Sequence, residues 1–320
     1  MSLHTFSPEE GFCRIQVFEL NTERNCALGI PEGNPADSFL ISTAAGNNQT
    51  HVLIDAGKKG HGEKVIIPYL LEHRIDTIER LILSHLHYDH FGGIIDLLRE
   101  PRIKIKELIY SPLPDAAMKN NDAGELNYVL WKELEGLLSE SDLILTNVNQ
   151  EHTGETIQIG SEASLTILSI PDELIVNEDG RSNLNEMNVI VKLHYRQFSA
   201  LFPGDCGPRQ AGRLLRSDQA HQVKDTFLLK AAHHGGDEST SEEFIRYCNA
   251  QLVVIPCNEV VTRHRPSFIG NTHVFADNGA KLFRCDYFQH VEIVTNGTEV
   301  QCFGNTKQYR EQVVFHLDGR

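Results

Sequence analysis

Short apolar stretches bounded by Gly, Pro and Asn set the pattern of the chain, and they predict strands over 14–20 (RIQVFEL), 37–43 (DSFLIST) and 51–57 (HVLIDAG). Residues 62–75 carry apolar positions at helical spacing and predict an amphipathic helix. The apolar run 78–85 (IERLILSH) predicts a buried strand, and 92–100 a helix that starts at the glycine pair and closes before Pro101. Strands are expected over 105–111, 143–148, 155–160 and 165–170, with the longest helical pattern at 123–141. A polar loop follows at 171–186, then a strand pair at 187–195 and 198–205 and a helix at 208–218. Next come a strand over 225–236 running into a glycine turn, a helix at 241–249 with Ser241 as N-cap, and a strand at 251–258. Early strands are hairpin-like and later ones alternate with helices, and no Pro- or Ser-rich linker interrupts them. The expectation is one mixed α/β domain over 1–320, with sheets inside and helices outside.

Histidines and aspartates fall repeatedly where an apolar strand ends: LILSHLHYDH, ALFPGD and LLKAAHH. The densest group is SHLHYDHFGG at 84–93, with His85, His87, Asp89 and His90 within six positions. Imidazole nitrogen and carboxylate oxygen suit zinc, and also manganese or iron. His85 and His87 are placed to face one ion, and Asp89 and His90 a second. Two ions roughly 3.5–4 Å apart activate a shared water as hydroxide and stabilise the attacking and leaving oxygens of a hydrolysis. Asp205, directly after an apolar strand, is the candidate bridging carboxylate, and His233 and His234 precede a second glycine pair. Lys230 reads as a solvated strand end, Cys206 as a small buried packing residue and His194 as a packing residue.

Composition narrows the partners. The formal net charge is −15, which argues against holding long phosphate backbones by bulk attraction. No apolar run approaches the roughly 20 residues of a bilayer span, and the N-terminus lacks the pattern of a signal peptide. Seven scattered cysteines without a C-x-x-C pair fit a reducing cytoplasm better than a disulfide scaffold.

These motifs together resemble the metallo-β-lactamase superfamily: SHLHYDH carries its H-x-H-x-D-H signature, LFPGD its bridging-aspartate motif and AAHHGG its late histidine motif. The blocks NEMNVIVKL, LKAAHHGGDESTS and RHRPS resemble the hydrolase domain attached to bacterial competence DNA-uptake channels, and the likeness runs over roughly residues 14–290. The resemblance implies an αββα sandwich with metals at one edge of two sheets. It implies that His85 and His87 bind a first zinc ion and that Asp89 and His90 bind a second, with Asp205 bridging. His234 would complete the second site, His233 would hydrogen-bond beside it, and Asp89 carries the catalytic role.

One departure stands out. The third histidine that many members supply to the first metal is expected near 108–115, which contains none; the first site is then weak, completed by His264, or empty. Arg263 and Arg265 flank His264 and offer guanidinium groups to a substrate phosphate.

The expected function is a hydrolase using a metal-bound hydroxide on a phosphodiester or small phosphoester. A carboxylic-ester, thioester or lactone hydrolase on the same site is the alternative, and a non-catalytic metal-binding module a third. The expected partner is a small-molecule or short phosphoester substrate, with no membrane and no long nucleic acid.

Overall fold

The computed structural model describes residues 6, 11–20, 26–31, 34–46, 48–236, 241–259, 262, 272–306 and 308–317. Among them a nine-stranded sheet runs in the order Arg310–His316, Glu299–Asn305, His290–Thr295, Phe12–Val17, Phe39–Ala45, Asn48–Ile54, Arg80–Ile82, Glu107–Tyr110 and Ile144–Asn147. A seven-stranded sheet runs in the order Lys281–Arg284, Leu252–Ile255, Leu228–Lys230, Phe198–Phe202, Ile190–Tyr195, Ala163–Ser169 and Thr156–Ile159. Hairpin-linked strands pair antiparallel in both sheets. From Asn48–Ile54 to Ile144–Asn147, and from Phe198–Phe202 to Lys281–Arg284, neighbours are parallel.

The period of two along each strand decides the layering. Ile41, Val52 and Ile54 join Leu165, Val191, Leu193 and Val254 in a core between the two sheets. Their neighbours Leu40, Leu53 and Leu81 face outward onto Phe91, Ile94, Leu130 and Trp131 of two helices, Tyr88–Leu98 and Glu125–Ser139. On the far side Leu201, Leu229 and Val253 meet Leu214 of helix Pro208–Leu215 and Phe244 and Ile245 of helix Glu242–Cys248. The layers are helix, sheet, sheet, helix, as expected. Ser241 caps its helix, accepting from Phe244 N at 3.2 Å.

One local expectation changes. The helix after the histidine cluster begins at Tyr88 rather than Gly92, because the buried Asn127 side chain accepts from Tyr88 N at 2.7 Å and supplies the cap. Gly92 and Gly93 therefore lie inside a helix and make no turn. Gly93 is needed for closeness: a Cβ there would lie 2.0 Å from Ala56 O.

The four strands ending at Ile54, Ile82, Phe202 and Lys230 run in parallel pairs, Ile54 beside Ile82 in one sheet and Leu201 beside Leu229 in the other. Loops after their carboxyl ends carry Asp55, the 84–90 cluster, Asp205 and His234. Val189 N donates to Ser84 O at 2.7 Å, so the two sheets touch at this edge.

Candidate metal centre

Asp89, His90, Asp205 and His234 each offer one ligand atom, and these atoms lie within 4.8 Å of one another. Asp89 and His90 come from the first turn of helix Tyr88–Leu98, where a carboxylate also suits the helix dipole. Asp205 follows Gly204, which has φ +60° and whose Cβ would lie 2.3 Å from Asn188 Oδ1. Asn188 Oδ1 accepts from Asp205 N at 2.9 Å, and Gln210 Nε2 donates to Asn188 O at 2.6 Å, so a buried amide pair fixes the loop. His233 and His234 both hold left-handed backbone, φ +46° and +56°, as does Asp55 at +56°. Such conformations cost of order 1–3 kcal/mol each in non-glycine residues and persist where the surroundings over-determine them.

Each histidine of this group is held from behind. His90 Nδ1 donates to Asp55 Oδ2 at 2.8 Å, and His234 Nδ1 to Asp37 Oδ1 at 3.1 Å. The opposite nitrogens, His90 Nε2 and His234 Nε2, point at Asp205 Oδ2 over 3.3 and 3.2 Å. These contacts are close but make no hydrogen bond, so both nitrogens are buried without one. Asp89 Oδ2 is 3.7 Å from His234 Nε2.

Buried donors of this kind, converging on one point, fit a divalent ion of the zinc class. The charge fits as well: Asp37 and Asp205 share the buried Lys230 ammonium, while Asp55 backs His90 and Asp89 lies beside His234. Burial alone would lower the pKa of His90 and His234, yet the carboxylates around them raise both well above the ordinary value. Asp205 is held well below the carboxylate range: burial raises it, and His234, Lys230 and His90 overcome that.

Lys230 corrects its sequence reading. It is 2% exposed, not a solvated strand end. Its Nζ pairs with Asp37, contacts Asp205 Oδ1 at 3.0 Å and donates to Gly204 O at 2.5 Å.

His85 and His87 form a second grouping next to the first. His85 Nε2 is 2.9 Å from His87 Nδ1, and the His85 and His90 ring centroids are 4.1 Å apart. The segment 108–115 adds no histidine; instead His87 Nε2 donates to Asp122 Oδ1 at 2.9 Å. His233 is half-buried at the rim, and burial lowers its pKa. Cys206 is fully buried, and burial lifts its thiol pKa well above normal. His194 sits half-buried on strand Ile190–Tyr195, opposite Ser199. Arg263, His264 and Arg265 lie outside the described residues.

Sequence reasoning missed Asp37, Asp55 and Asp122. Asp55 had a signal: it ends an apolar strand before a glycine (LIDAG), the same arrangement that marks Asp205. Asp37 opens the strand predicted over 37–43 and Asp122 directly precedes the helix predicted over 123–141, and neither carried a signal beyond that.

Residues 32–155 match the family model described as "Metallo-beta-lactamase superfamily". ComE operon protein 3 of Bacillus subtilis is 24% identical over 253 residues, which cover 72% of this chain and 28% of that protein. Thioesterase pkgB of Emericella nidulans is 32% identical over 95 residues, covering 28% of this chain and 27% of that protein. The chain thus spans under a third of the length of either curated relative. Zn(2+)-bound PqqB from Methylobacterium extorquens superposes with TM-score 0.48 at 10% identity, covering 85% of this chain and 97% of that one. A diphosphatase of the PhnP family gives 0.43 at 12% identity, covering 95% and 98%. Residues 32–155, which carry the histidine cluster at the edge of the αββα sandwich, thus match a metallo-beta-lactamase superfamily domain.

Proposed function

We propose that this chain hydrolyses a phosphodiester or small phosphoester at a centre of one or two metal ions, zinc first among the candidates. The observation that carries the reading is the pair of buried imidazole nitrogens, His90 Nε2 and His234 Nε2, which converge with Asp89 and Asp205 and lack hydrogen bonds. Asp89, His90, Asp205 and His234 would hold one ion, and His85 and His87 the other, with Asp205 between them. A bound divalent ion supplies Lewis acidity and makes water more acidic at neutral pH.

The remaining work belongs to side chains. Asp89 is the part-exposed member of the group, with 17% side-chain exposure, against 2% or less for Asp205, His90 and His234. It is the carboxylate that meets incoming water. Its pKa is lowered because the neighbouring histidines outweigh burial, so it stays ionised and can accept a hydrogen bond that orients that water. Lys230 is too buried to touch substrate. It holds Asp205 Oδ1 and leaves Oδ2 directed at the histidines.

Ranking phosphoesters first rests on Arg263 and Arg265 beside His264 and on the resemblance of the NEMNVIVKL, LKAAHHGGDESTS and RHRPS blocks to the hydrolase domain attached to competence DNA-uptake channels. The thioesterase relative supports carboxylic esters, thioesters or lactones as the second reading. The test compares kcat/KM of the zinc-loaded chain on a bis(nitrophenyl) phosphodiester, a nitrophenyl ester and a thioester. Faster phosphodiester cleavage is expected. Preference for the ester or thioester moves the second reading to first, and a chain that binds neither zinc, manganese nor iron ends both.

A further inference from the structure

The segment 108–115 brings no histidine to the H-x-H pair, and Asp122 stands behind His87. Asp122 lies in the turn between helices Asp115–Lys119 and Glu125–Ser139. Its Oδ1 accepts from His87 Nε2 at 2.9 Å and from Leu184 N at 3.4 Å. Its main chain is clamped as well: Asp122 N donates to Ser182 O at 3.0 Å, and Arg181 Nη1 donates to Asp122 O at 3.1 Å. The carboxylate is therefore fixed by the polar loop 181–184, not merely near the ring.

An ionised carboxylate only accepts hydrogen bonds, so the His87 nitrogen facing it carries the hydrogen. In the neutral ring the lone pair is then on Nδ1. That nitrogen lies 2.9 Å from His85 Nε2, a separation at which the two ring nitrogens have room for one proton between them, or for one cation. Nδ1 and Nε2 lie on opposite edges of the imidazole, so Asp122 lies across the ring from the point where the two histidines converge.

We propose that Asp122 is a positioning residue for the first metal site: it fixes the His87 tautomer that presents Nδ1, without ligating the ion. The proposal rests on the metal-site reading above. It assigns Asp122 the part that Asp55 plays for His90 and Asp37 for His234, each on the ring nitrogen turned away from the site.

The experiment uses the full chain stripped of metal and titrated with zinc and with cobalt(II), against a competing chelator. His85→Ala and His87→Ala identify the first ion and His90→Ala the second. Asp122→Asn preserves shape, and Asp122→Ala removes the acceptor. Both should weaken the first ion by about 10- to 100-fold, leave the second ion at wild-type affinity, and leave the melting temperature of metal-free Asp122→Asn unchanged. At saturating cobalt the first-site absorption bands should return in both variants.

Wild-type affinity for both ions in both variants overturns the inference and leaves the metal reading intact. Failure of Asp122→Ala to take up the first ion even at saturation, matching His87→Ala, makes Asp122 a ligand and also overturns it. Two ions that survive in both His85→Ala and His87→Ala show that these histidines build no first site, with the same consequence. A wild-type chain that binds no metal sinks the metal reading itself.

Discussion

The two halves of the site differ in what their buried nitrogens have for company. His85 Nε2 and His87 Nδ1 lie 2.9 Å apart and satisfy each other, while His90 Nε2 and His234 Nε2 have no hydrogen bond. The second half is also more acidic. Buried Asp37 and Asp55 back its histidines and Asp205 faces them, whereas the first half is backed by the 16%-exposed Asp122 and the Ser84 hydroxyl. Buried polar atoms left without a partner are costly, and a buried surplus of carboxylates more so. A cation therefore relieves more unfavourable free energy in the second half.

The largest expected effect tests it directly. His90→Ala and His234→Ala should each lose the tightly held ion and about 10³-fold or more in kcat/KM, the several kcal/mol that a metal contributes to stabilising transition-state charge. His85→Ala should keep one tight ion and lose less activity. Metal analysis after dialysis, followed by turnover, checks the order. If His85→Ala empties the protein while His90→Ala stays loaded, the two halves must be exchanged.

Next in size is a stability effect confined to the acidic half. Lys230→Met removes the ammonium between Asp37 and Asp205 and leaves two buried carboxylates without it. Removing one partner of a buried ion pair typically costs about 3–5 kcal/mol. Metal-free Lys230→Met should melt well below the wild type, and zinc should raise its melting temperature by more than it raises that of the wild type, because the ion replaces part of the missing charge. Equal melting of the two metal-free proteins would show that the lysine is not the counter-charge.

Legibility in the sequence divides along similar lines. Ligand-type residues crowd into short motifs at strand ends, so His85, His87, Asp89, His90, Asp205 and His234 could be picked out directly. The carboxylates behind them meet their histidines only after folding, Asp55 and Asp122 at separations of 35 residues and Asp37 at 197. Layering followed from apolar strands, but no element was read beyond residue 258. Strand Arg310–His316, for one, is an edge strand with alternating exposure that buries little. Lys230 was misread because a lysine at a strand end is normally solvated, and only the tertiary structure brings two aspartates to it.

The smallest expected effect separates neighbours at the seam between the halves. Asp205 Oδ2 faces both orphaned nitrogens, so Asp205→Asn keeps the shape of the side chain and removes the charge a cation would meet. That variant should lose metal and turnover. Cys206, one residue on, is fully buried, and its thiol contacts Gly207 O at 3.4 Å. Burial raises its pKa, which keeps the sulfur protonated and a poor ligand. Cys206→Ala should therefore cost only packing, about 1 kcal/mol, read as a modest drop in melting temperature with metal content and kcat/KM unchanged. Loss of an ion from Cys206→Ala at normal stability would place the sulfur in the metal shell and make the seam, rather than the second half, the centre of the site.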